Sequence, residues 1–127
     1  MRRALIVVVL ALVAITVFVV GNAFGEDPFQ ASVSGTRYAV DVRIASPGTG
    51  PVVVDVLVRT GSPDTVTIST VMPSMGHAVP ETAAPLAEPR HFTVKGTLFP
   101  MAGVWEITIR LSGTTGTETL TVNALIT

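Results

Sequence analysis

The chain has 127 residues, 48% of them hydrophobic, with eight basic and nine acidic residues, two histidines and no cysteine. So high an apolar fraction in a chain with room for one domain points to a membrane segment. The lack of cysteine excludes disulfides, thiolate metal sites, cysteine lipidation and thiol redox chemistry; the lack of a basic cluster argues against nucleic acid as a partner, since phosphate binding needs concentrated positive charge.

Arg2 and Arg3 precede Ala4–Val20, an uncharged apolar run that ends at Gly21 and Asn22, with Glu26 and Asp27 just beyond. The run is longer than the ~7–15 residues of a signal core and close to the ~17 needed for a spanning helix. Gly21 and Ala23 are small residues placed as a signal peptidase requires. Residues 1–25 are expected to be a single transmembrane anchor or, alternatively, a signal segment whose cleavage leaves a secreted domain. Residues 26–127 form the remaining domain. Positive charge stays in the cytoplasm, so that domain is expected on the extracytoplasmic side of the cell membrane.

Beyond the anchor the chain reads as all-β. "FQASVS" is a candidate first strand. "RYAVDVRIA" alternates Tyr38, Val40, Val42 and Ile44 against Arg37, Asp41 and Arg43, the period of a half-buried strand. In "VVVDVLVRT", Val54, Val56 and Val58 are expected inside, while Val53 and Leu57 break the polar outer pattern. The flanking "SPGTGP" and "GSPD" are turn chemistry. "VTISTVM", "RHFTVKGTL", "VWEITIRL" and "ETLTVNAL" follow, and Trp105, Ile107, Ile109 and Leu111 form the cleanest apolar face. About seven short strands in a domain of ~100 residues are the signature of an immunoglobulin-like β-sandwich. Pro80, Pro85 and Pro89 predict an irregular loop from His77 to His91, long enough to bring its ends together at one rim.

"VMPSMGHAVP" places Met72, Met75 and His77 within six positions, in a chain with four methionines and two histidines. Thioethers are soft donors and imidazole a borderline one, so the grouping suits copper rather than magnesium or calcium. Met101, at a bend in "FPMAGVW", and His91, at the end of the proline loop, complete the candidate set. Each also has a packing or surface reading. Met72 shares the inward parity of Val66 and Ile68, and His91 alternates outward with Thr93 and Lys95. Met75 and His77 flank Gly76 in a polar setting.

"MPSMGH", followed by a loop, a strand and "FPMAGVWEITI", resembles the YtkA-like domain, an extracytoplasmic immunoglobulin-like module related to FixH-type proteins. The resemblance covers roughly Arg37 to Leu111 and is most specific in Met75-Gly76-His77 and in the spacing of Met101, Gly103 and Trp105. It implies a β-sandwich outside the membrane and metal-related work, commonly copper supply or assembly around haem–copper oxidases. The chain departs from the family pattern at "EPRHF", where an aromatic often follows the loop.

Enzymatic motifs are missing: there is no Gly-x-Ser-x-Gly elbow, no His-Glu-x-x-His and no phosphate-cradling glycine loop. Asp41, Asp55, Asp64, Glu106 and Glu118 are dispersed as surface charges are. The chain is therefore expected to be no enzyme but a membrane-tethered module holding Cu(I) through Met75, His77 and Met101, with Met72 or His91 as a fourth donor. The expected partner is a membrane copper protein or an oxidase under assembly. The competing expectation is an accessory immunoglobulin-like domain that docks on a membrane complex through the face bearing Val53 and Leu57, with the Met/His group merely packing.

Overall fold

A computed structural model describes residues 27–127. The expected anchor, Ala4–Val20, lies outside the described residues. Among those residues there is no helix, and nine strands follow in order: β1 (Phe29–Ser34), β2 (Ala39–Ile44), β3 (Val52–Thr60), β4 (Thr65–Met72), β5 (His77–Ala84), β6 (Leu86–Glu88), β7 (His91–Gly96), β8 (Gly103–Gly113) and β9 (Gly116–Ile126).

The strands make two antiparallel sheets, ordered β1-β2-β3-β7-β6 and β5-β4-β8-β9. The period-2 alternation dictates this packing. Val40, Val42 and Ile44 from β2 and Val54, Val56 and Val58 from β3 meet Val66 and Ile68 from β4 and Trp105, Ile107, Ile109 and Leu111 from β8 in one buried cluster. Every strand face assigned from the alternation of these residues is the buried one. Trp105 is fully buried and meets Phe99 edge-on, ring centroids 5.9 Å apart.

The proline-spaced stretch is a correction to the expected loop. Residues 77–84 form β5, antiparallel to β4, and residues 86–88 form β6 beside β7. Both are edge strands of their sheets, where a missing N–H breaks no ladder. Pro80 falls where the β4–β5 register shifts, and Pro85 falls where the chain crosses between sheets. The strand count rises to nine for the same reason.

The register defines two ends. One, the upper rim, carries the β2–β3 loop (45–51), the β4–β5 hairpin tip (73–76) and the β7–β8 loop (97–102). The other, the lower rim, carries 35–38, 61–64, 89–90 and 114–115. The lower rim is latched by Glu118 of β9. Its carboxylate accepts the Thr36 hydroxyl at 2.7 Å and the backbone N–H groups of Thr36 at 3.0 Å and Tyr38 at 3.1 Å. Tyr38 closes the latch by donating its hydroxyl to the Gly116 carbonyl at 2.9 Å.

Candidate functional site

The β4–β5 hairpin builds the first half of the upper rim. Met72 and His77 are paired across it, and the Met75 N–H donates to the Met72 carbonyl at 3.2 Å, closing a tight turn over Pro73 and Ser74. Gly76 follows at φ +66°, a left-handed conformation that glycine adopts without steric cost. The turn divides the two methionines. Met72 ends β4 facing inward and is 2% exposed, whereas Met75 sits on the tip at 58%. His77, one residue past Gly76, is exposed.

Met101 enters from the other half, on the 97–102 loop. Two hydrogen bonds, one buried and one partly buried, hold that loop to the sandwich. Thr70 of β4 donates its hydroxyl to the Leu98 carbonyl at 2.6 Å, and the Trp105 indole N–H donates to the Met101 carbonyl at 2.8 Å. Met101 is half-buried against the core, and the backbone turns into β8 at Gly103. A Cβ at Gly103 would lie 2.6 Å from the Met72 methyl, so the Met72 side chain lies directly over that glycine. Met72 thus packs the floor beneath the rim, as its strand parity implied.

Met75, His77 and Met101 therefore share one end of the molecule, the first two exposed and the third partly so. The three upper loops contain no Asp, Glu, Lys or Arg. Such an environment offers no concentration of carboxylate oxygen for a hard cation, and neutral thioether and imidazole donors match a soft monovalent ion instead. Among the described residues, no three His, Cys, Asp or Glu side chains gather into a metal-binding group. Any metal held at this rim thus depends on sulfur from methionine.

His91 stands elsewhere. β5 runs from His77 at the upper rim to Ala84 opposite Val66, and β7 starts at the lower rim with His91 opposite Leu57. At ~3.3 Å per residue, that strand carries the chain on the order of 20 Å away from His77 before it crosses to the sheet that holds His91. The expectation that the proline segment returns to its starting point does not hold, because it is strand rather than loop. His91 instead pairs with Asp55 on the outer face of its sheet, Nε2 to Oδ1 at 2.8 Å.

Three interactions escaped the sequence reading. Thr70 left a trace, being a polar residue at the inward parity of Val66, Ile68 and Met72. The Asp55–His91 pair and the Glu118 latch left none, since each joins distant segments whose register the alternation does not specify. The latch holds the Glu118 carboxyl below the usual glutamate range; the Thr36 hydroxyl is the largest cause, with the backbone N–H groups of Tyr38, Arg37 and Thr36 adding to it against partial desolvation.

The chain matches no family model, no curated protein and no solved structure.

Proposed function

We propose that the chain is a membrane-tethered, extracytoplasmic copper-binding module that holds Cu(I) at its upper rim and passes it to a membrane copper protein or an oxidase under assembly. The observation that carries this reading is the separation of roles among the methionines. Met72 is used in the core, while Met75 and Met101 are brought with His77 to one end whose loops carry no charge. An exposed methionine on a hairpin tip contributes little to packing, and its thioether is free to serve as a donor. Met75, His77 and Met101 would hold the ion. An open three-donor set suits transfer better than storage.

The strand order supports the immunoglobulin-like part of the reading. With β1 set aside, β2-β3-β7-β6 and β5-β4-β8-β9 follow the ABED and CFG arrangement with one added edge strand. The resemblance of "MPSMGH" and "FPMAGVW" to the YtkA-like domain points to the same family of functions. The accessory-domain reading rests on Val53, exposed on the outer face of the first sheet. That face also carries the Arg59–Asp41 pair at 3.0 Å and the His91–Asp55 pair, which makes it a less apolar docking face than the alternation suggested.

The test is a competition titration of the full chain with Cu(I), alongside the Met75→Leu/Met101→Leu double variant. Leucine keeps the volume and removes only the donor sulfur. One ion bound by the wild type and at least tenfold weaker binding by the variant are expected. Equal affinity would leave the Met/His group as packing and surface.

A further inference from the structure

The two ends of the sandwich differ in charge and in exposed apolar surface. The upper loops, 45–51, 73–76 and 97–102, carry no charged residue and have Asp27 and Lys95 beside them, whereas the lower rim itself carries Arg37, Asp64 and Arg90, with Glu88 beside it. Of five large exposed hydrophobic residues among the described ones, Met75 (58%), Val104 (57%), Leu125 (66%) and Val53 (40%) lie at or next to the upper rim, and Leu86 lies toward the lower one. Val104 and Leu125 are a direct cross-strand pair on β8 and β9, so their side chains form one patch.

The chain enters the domain at that same end. Phe29, the first residue of β1, pairs with Ile44 at the upper end of β2, and Asp27 shares a surface hollow with Pro47, Leu125 and Thr127. Only residues 21–26 separate Asp27 from the apolar run that ends at Val20. Fully extended, six residues reach about 20 Å. A tether that short, attached at the end whose loops carry no charge, sets this end toward the bilayer and the more highly charged end toward water.

We infer that the upper rim is a membrane-facing surface whose Val104–Leu125 patch rests in the headgroup layer of the bilayer that holds the chain's own N-terminal segment. The headgroup layer is roughly 5–8 Å deep on each side, enough to receive a rim of small, uncharged loops with a few protruding apolar side chains. The inference rests on the tether reading and not on copper. It adds that Met75, His77 and Met101 face the membrane plane, so a partner that takes the metal presents its acceptor at the lipid surface.

The absence of native cysteine makes the test direct. Leu125→Cys and Ser62→Cys each receive one environment-sensitive fluorophore, and the full chain is reconstituted into phosphatidylcholine vesicles containing headgroup-proximal spin-labelled lipid. The label at position 125 is expected to shift to the blue and to be quenched several-fold more than the label at position 62, which lies at the lower rim. Adding Val104→Glu should reduce that quenching, while Thr121→Glu, lower on the same sheet face, should not. Equal, weak quenching at both positions in a chain that floats with the vesicles would overturn the membrane-facing surface alone. A chain that fails to float with the vesicles would overturn the tether as well.

Discussion

The indole N–H of Trp105 donates to the carbonyl of Met101 at 2.8 Å. This bond joins a fully buried aromatic of the core to the backbone of a candidate donor four residues away, so the fold and the site are mechanically coupled. Trp105→Phe keeps most of the apolar burial and removes the donor. It should cost about 1–3 kcal/mol in urea unfolding, through the lost hydrogen bond and the reduced volume. It should also weaken Cu(I) binding, by loosening the 97–102 loop. A variant as destabilised as this but with unchanged Cu(I) affinity would show that Met101 needs no such support.

Met72 and Met75 are three residues apart and should respond oppositely to truncation. Met72→Ala removes a side chain packed over Gly103 and should cost about 2–5 kcal/mol. Met75→Ala removes an exposed side chain and should stay within about 0.5 kcal/mol of wild type. Only the second should impair Cu(I) binding without impairing folding. Paired unfolding curves and metal titrations separate the two effects.

Glu118 makes the stability of the lower rim pH-dependent. Its folded carboxyl ionises below the usual glutamate range, chiefly through the Thr36 hydroxyl, so the folded state binds the proton less readily than the unfolded chain. The stabilisation is fully present above the unfolded-chain pKa and is lost as pH falls through the folded one. Glu118→Gln should lower the unfolding midpoint at neutral pH and flatten its decline in acid. Thr36→Ala should do the same to a smaller degree. Identical acid profiles for wild type and Glu118→Gln would show that the latch carries no net stabilisation.

The two histidines should separate in copper binding. His77→Ala removes an exposed candidate donor at the upper rim and should weaken Cu(I) binding several-fold. His91→Ala, which removes a partner of Asp55 on the outer face of the other sheet, should leave Cu(I) affinity unchanged. A matching loss from both substitutions would require the rim and that sheet face to act together.

Much of the fold was legible in the chain because alternation is a local property. Tyr38 to Ile44 and Trp105 to Leu111 each name their buried face without reference to any other segment. Met72 was legible as core for the same reason. The proline-spaced segment was misread because proline excludes a central strand but tolerates an edge one, and edge position is decided by pairing with β4 and β7, far away in sequence. The placement of His91 depended on that same pairing. Met75 and Met101 could be named as candidates, but their common rim follows from the β4–β8 register and from the Trp105 bond, which a linear pattern does not contain.

The most direct measurement of the central claim is X-ray absorption at the copper edge on the Cu(I)-loaded chain, compared with the Met75→Leu/Met101→Leu double variant. Copper held by Met75, His77 and Met101 should show a first shell of two sulfur donors and one nitrogen in the wild type. The sulfur contribution should disappear in the double variant loaded at high copper. A wild-type first shell made only of nitrogen and oxygen, unchanged in the variant, would contradict the assignment of the upper rim as a thioether copper site.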